Sequence, residues 1–328
     1  MPEITIGRDI SSARNVDEAL GLADLDWNVE HNDTYFTRGN HEAMMFAQSP
    51  KYMSVVRSDT GEEFAHTTRR YQVVQNRDAF KFVDDIIAGG ATYWRGGYFR
   101  GGRKAFMIVR LPHAISTLST GELIQRAMII STSHDSTQGI RANWLPIRFA
   151  CANVIGAVLA NAPMVLRHTA SVRDGIAPEV AAEIFYNADE FYTEYQQKAE
   201  QLISAPFSDG EMETFIDTLF STTRVSTGRV RRSNNYLYDT VLENFRNGRE
   251  TYGSTRWDAY NAVCEYLDYQ RPIGNRMDTA DNKEESVENE RHFNSVLSPN
   301  RLGGNRLRTE AMSQLLDADS FGYLSGGE

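Results

Sequence analysis

Apolar and polar positions along this chain change rhythm several times. Residues 1–50 carry few periodic signals and read as an irregular N-terminal arm ending in QSPKY. From Tyr52 the rhythm becomes alternation: YMSVVRSDTGEEFAHTT gives two short runs around Asp59, Thr60 and Gly61, which predicts a hairpin. NRDAFKFVDDIIAGG then sets Phe80, Val83, Ile86 and Ile87 at helical spacing, with Asn76 as N-cap and Gly89-Gly90 as the stop, so one amphipathic helix is expected. In ATYWRGGYFRGGRKAFMIVRLP, aromatic and β-branched residues flank Gly101-Gly102, predicting a second hairpin that Pro112 closes. RAMIISTSHDS predicts a strand that turns between His134 and Gly139 and returns as GIRANWLPIRFA. CANVIGAVLANA, with Pro163 beyond it, predicts a buried helix packed on the sheet.

After Arg173 the period is helical. Pro178 suits the first turn of a helix through EVAAEIFYNADEFYTEYQQKAEQLI, and Ser208 with Glu211 forms a capping-box pattern. YLYDTVLENFRN, RWDAYNAVCEYLDYQR and LRTEAMSQLLD predict further helices, while 274–290 is nearly devoid of large apolar residues and reads as a polar linker. The expected fold is α+β: a twisted antiparallel sheet with packed helices over 51–175, then a mainly helical, acidic region over 176–328.

The chain has 328 residues, 41% of them hydrophobic, enough for a substantial core. No run reaches the roughly 18 apolar residues of a membrane span and the N-terminus lacks a signal-peptide pattern, so a cytoplasmic protein without membrane contact is expected. Cys151 and Cys264 lie far apart without CxxC spacing, and the seven histidines show neither an i, i+4 pair nor HExxH. No disulfide, metal or cofactor is therefore expected.

The formal net charge of −10 argues at first against nucleic acid. Its distribution changes that picture. Residues 51–175 carry 16 Lys and Arg against 9 Asp and Glu, whereas 1–50 carry 3 against 9 and 176–328 carry 15 against 26. Within the basic middle, Arg95, Arg100, Arg103 and Lys104 are interleaved with Trp94, Tyr98 and Phe99. Guanidinium groups hold phosphates while aromatic faces stack on bases, a combination suited to single strands. Arg69, Arg70, Arg141 and Arg148 are candidates for the same surface, and Arg229, Arg231 and Arg232 belong to a second basic cluster read as a loop that traps nucleic acid. The competing reading is an ordinary hairpin with alternate residues in solvent, and a solvated helix connection for the second cluster.

Two catalytic motifs fail. A GxxxxGK[ST] phosphate loop started at Gly97 finds Arg103 after Gly102, and Lys104 is followed by Ala105. A thiol hydrolase built from Cys151 and His134 with Asn153 has the residue types, but a Cys between two alanines reads as a small buried hydrophobe and His134-Asp135 as a polar turn. No enzyme is expected.

VVRSDTGEEF, YQVVQNRDAFKFVDDI, RGGRKAFMIVRLP, STSHDST, PIRFACANVIGAVL and WDAYNAVCEYLDYQR, in that order, resemble the phage/plasmid-like proteins of a family of unknown function, from about residue 50 to the C-terminus. The resemblance implies a bacteriophage or mobile-element origin and brings no catalytic residues. The order of elements, a helix, successive antiparallel strands and a helix after Cys151, also looks like the core of Rad52-type single-strand annealing proteins, an analogy of topology. The expected function is single-stranded DNA binding and annealing in recombination or replication, by a homo-oligomer that forms a ring. The alternative is a non-enzymatic phage factor or structural component that meets a protein partner through its acidic C-terminal region.

Overall fold

The computed structural model describes residues 6–39, 45–148, 164–166, 178–220, 228–272, 291, 295 and 304–317. Within them the chain is α+β, with two antiparallel sheets and a mainly helical C-terminal region.

The larger sheet contains β1 (Arg8–Asp9), β5 (Thr92–Phe99), β6 (Lys104–Thr117), β7 (Leu123–Ser133), β8 (Ile140–Arg148) and β9 (Met164–Leu166), neighbours in that order. The smaller sheet is β2 (Val29–Arg38), β3 (Met45–Arg57) and β4 (Glu63–Thr68). Short helices α1 (Val16–Leu22), α2 (Asn76–Phe80) and α3 (Val83–Ala88) lie between the strands in sequence. The C-terminal helices are α4 (Pro178–Ser204), α5 (Asp209–Phe220), α6 (Gly228–Tyr252), α7 (Arg256–Glu265) and α8 (Gly304–Leu316).

FMIVRL and AMII are nearly continuous apolar runs because the large sheet is buried on both faces. Tyr93, Met107, Val109, Met128, Ile130 and Trp144 join a core with α1 to α3, while Trp94, Phe106, Ile108, Ile129, Leu145 and Ile147 form a second cluster. Helix α4 spans two cores. Its Phe191 and Tyr192 pack on the sheet, and its Tyr195, Ala199 and Leu202 enter the helical core formed with α5 to α8. The Tyr192 hydroxyl sits in the β7–β8 ladder: it accepts from the N–H of Ala127 (3.0 Å) and Leu145 (3.3 Å) and donates to the Ala127 carbonyl (2.5 Å). The turn between β6 and β7 reaches the helical core as well, where buried Glu122 accepts from Trp257 Nε1 at 2.8 Å.

Four sequence expectations differ from the structure. Residues 6–50 are not an irregular arm: α1, β2 and part of β3 form there, and Val16, Leu20, Trp27 and Val29 enter the main core. Helix α1 has only seven residues, and the apolar residues of distal β2 and β3 face no core, so neither leaves a clear period in the sequence. The helix expected over 76–88 is two, and Asn76 caps neither; its side chain donates to the Leu25 carbonyl at 3.0 Å. Pro112 does not end β6, which runs to Thr117 with an irregularity between Arg110 and Ile115 that accommodates a residue lacking N–H. The basic segment expected as a loop is helical from Gly228 onward. The Ser208–Glu211 capping box forms as expected. The helix predicted from Cys151 and the linker at 274–290 lie outside the described residues.

Candidate nucleic-acid interface

The hairpin of β5 and β6 lies inside the large sheet, so its alternate residues do not face solvent. Trp94 is 8% exposed beneath the Arg110 guanidinium (4.1 Å to its ring), and Phe99 is 2% exposed and stacked on Phe106 with centroids 4.8 Å apart. Neither presents a face to a base, which corrects their assignment as stacking residues. Lys104 is corrected too: its buried ammonium donates to Asp135 Oδ1 at 2.9 Å and to Thr137 Oγ1. Burial pulls the Lys104 ammonium below its usual range, with Asp135 opposing that shift. Burial acts to raise the Asp135 carboxyl, yet hydrogen bonds from Thr137 and Lys104 prevail and hold it below the usual carboxylate range.

The other cations of this hairpin are engaged within the fold. Arg95 donates to the carbonyls of Ile6 (3.1 Å) and Gly7 (2.7 Å), and Arg103 pairs with Glu62 at 3.1 Å and donates to the Glu63 carbonyl at 3.0 Å. Arg100 is half-buried at φ +54° in the turn. Half-buried Tyr98 packs edge-on against Trp27. The smaller sheet closes on this turn. Arg57 grips Asp59 with two hydrogen bonds (2.7 and 2.9 Å), donates to the Gly101 carbonyl at 3.1 Å, and lies 4.4 Å from the Trp27 ring. A Cβ on Gly101, at φ +67°, would lie inside contact distance of the Glu62 carboxylate. One on Gly102, at φ +113°, would lie 2.9 Å from Trp27, so both glycines serve close packing as well as the turn.

His134 is not a solvent turn residue. Its ring is buried beside Trp27 and Phe64, and Nε2 lies 2.8 Å from Asn76 Oδ1. Cys151 and Asn153 lie outside the described residues. Cys264 is buried, and desolvation pushes its thiol up to about 11, the profile of an inert core thiol. Among the described residues no cluster of His, Cys, Asp or Glu could hold a metal ion, and no helix is long and apolar enough to cross a membrane.

Exposed aromatic surface occurs on the ribbon of β2 and β3. Tyr35, Phe36, Phe46 and Tyr52 are 59, 47, 78 and 43% exposed, with Met45 at 66%. A bulge between Asp33 and Tyr35 resets the register, after which Tyr35 opposes Gln48, Phe36 opposes Ala47, Thr37 opposes Phe46 and Arg38 opposes Met45. Cross-strand partners share a face and neighbours alternate, so Tyr35 and Phe46 lie on one face and Phe36 with Met45 on the other. Strand β4 pairs with β3 at Tyr52 to Val56, so the distal ribbon is two-stranded among the described residues.

Cations accompany these rings. Arg38, Lys51, Arg69 and Arg70 are exposed, and Lys51 Nζ lies 5.1 Å from the Tyr52 ring centroid. Arg69 pairs with Asp33 at 3.0 Å, but both side chains are about 40% exposed (42% and 40%), where such a pair contributes little. Of the sequence candidates, Arg69 and Arg70 thus belong to this surface. Arg141 lies at the start of β8, remote in sequence from the ribbon, and is half-buried. The side chain of Arg148 lies outside the described residues, as do those of Arg229, Arg231 and Arg232 on helix α6. The signal that marked the ribbon was TYFTR and MMFAQ on either side of Gly39-Asn40, apolar residues without a helical or a simple alternating period.

No curated protein and no solved structure matches the chain. The stretch from residue 63 to residue 296 matches a family model, which places most of the large sheet and much of the helical region in one family unit. The chain belongs to the family described as Domain of unknown function (DUF932).

Proposed function

We propose that this protein binds single-stranded nucleic acid, DNA in the first instance, through the β2–β3 ribbon. The observation that carries the reading is the exposure of Tyr35, Phe36, Phe46 and Tyr52 beside Arg38, Lys51, Arg69 and Arg70. Bases stack on aromatic rings whatever their identity, and arginine or lysine neutralises the phosphates between them. A duplex hides its base faces, so rings displayed on both sides of a ribbon favour a single strand. Annealing would follow if several copies hold a strand extended with its base edges open, and we propose a homo-oligomer for that role. The acidic C-terminal region, −11 over 176–328 from the residue counts, would disfavour non-specific adsorption there and leave that region for protein partners.

The test is fluorescence anisotropy with a labelled oligothymidine and a duplex of equal length at two salt concentrations. The expected result is tighter binding of the single strand, with log K falling by about 0.7 per phosphate contact for each decade of salt. Replacing Phe46 or Tyr35 by Ala is expected to weaken binding by about 5- to 150-fold, the equivalent of about 1–3 kcal/mol of lost stacking. Equal affinity of these variants and the parent would remove the ribbon from the mechanism.

A further inference from the structure

The β7–β8 end of the large sheet holds polar groups that have no hydrogen-bond partner among the described residues. Ser131 is directly opposite Arg141, Phe106 opposite Ser131, and Lys104 opposite Ser133, so Lys104, Phe106, Ser131, Ser133 and Arg141 share one face. Ser131 is fully buried and its hydroxyl has no hydrogen-bond partner among the described residues. The same holds for Nε of half-buried Arg141 and for both amide atoms of Gln138, whose backbone is held by Ser133 Oγ. Phe106 provides an apolar wall beside them.

A buried hydroxyl and a desolvated guanidinium Nε–H without an acceptor are costly, and native folds leave few such groups. The local charge gives the sign of the missing partner. Lys104 is paired with Asp135, and repulsion from Arg141 adds to the burial that lowers its ammonium, so Lys104 and Arg141 bring two cations to this end of the sheet. An ammonium has three N–H groups, and two of those on Lys104 reach Asp135 and Thr137. The partner that fits is therefore an oxyanion with several acceptor atoms, able to take the guanidinium fork of Arg141 and a hydroxyl proton together.

We propose that Arg141, Ser131 and Lys104 form a binding site for a phosphate-type oxyanion. In this site half-buried Arg141 supplies the fork, the buried Ser131 hydroxyl donates, and Lys104 has one further N–H to offer. The phosphate belongs either to a nucleic-acid backbone or to a small phosphorylated compound. This site is separate from the aromatic ribbon and stands whether or not the ribbon binds a strand.

The experiment is isothermal titration of the whole protein with inorganic phosphate at constant ionic strength, chloride serving as the reference anion. Saturable binding is expected, weakened at least about tenfold by Arg141→Gln, less by Arg141→Lys, which keeps charge and loses the fork, and measurably by Ser131→Ala. Thermal melts in chloride check that the variants fold. Absence of saturable phosphate binding by the parent protein, or unchanged affinity in both Arg141 variants, overturns the site. A second arm adds oligothymidine: competition with phosphate identifies the backbone as the source, and simultaneous independent binding identifies a small phosphate compound, each outcome upholding the site. A Tyr35→Ser, Phe46→Ser protein that loses oligothymidine but keeps phosphate separates this inference from the ribbon reading.

Discussion

Lys104 and Asp135 carry the clearest consequence at the scale of single residues. Both side chains are largely sealed from water, 2% and 12% exposed, so removing one charge leaves the other without a partner. Lys104→Met is expected to lower stability in urea by about 3–5 kcal/mol, while adding Asp135→Leu restores much of it, because two apolar residues leave no orphan charge. The pair also sets a pH dependence. The folded Asp135 carboxyl lies below its unfolded value of about 3.9, so its contribution is present above that pH and is lost as pH falls through the folded value. Asp135→Asn is expected to flatten the acid limb of a stability-against-pH curve; an unchanged limb would show that the carboxyl does not titrate with folding. In the sequence Lys104 looked like one more cation in a basic hairpin. What hid its role was the turn thirty residues on, which brings Asp135 and Thr137 back over it.

Among the elements, strands and long helices were legible and their surroundings were not. Alternation and Gly-Gly turns located β5 to β8, and capping signals located α4 and α5, because those features are local. Whether a strand is central or at an edge depends on its neighbours. That is why Trp94 and Phe99 read as surface residues and are buried. The ribbon failed in the opposite sense: its apolar residues have no core to face, so the rule linking hydrophobicity to burial gave no guidance there. Helix α4 is fixed to the sheet by the Tyr192 hydroxyl. Tyr192→Phe leaves backbone N–H groups of Ala127 and Leu145 without that acceptor and is expected to cost about 1–3 kcal/mol in chemical denaturation. Phe46→Ala, at 78% exposure, is expected to stay within about 0.5 kcal/mol of the parent in the same assay.

Across the whole molecule, a sheet layer and a helical layer share α4 and the buried contact of Glu122 with Trp257, so the boundary read near residue 175 marks a change of architecture. The helical layer has its own buried ion pair, Arg308 with Asp268, joined by Ser295. Within the basic middle of the sequence, Arg57, Arg103 and Arg126 pair with acids and Arg95 binds backbone carbonyls inside the fold. Among the described residues, exposed aromatic rings and cations occur together on the ribbon, on strands that begin before residue 50. The most direct test compares oligothymidine affinity of the parent with two variants, Tyr35→Ser, Phe46→Ser on the ribbon and Trp94→Phe in the buried hairpin. The ribbon reading requires a loss of about tenfold or more in the first and parent-like affinity in the second. Parent-like affinity in the ribbon variant, with loss in a folded Trp94 variant, would contradict it and return the interface to the β5–β6 hairpin.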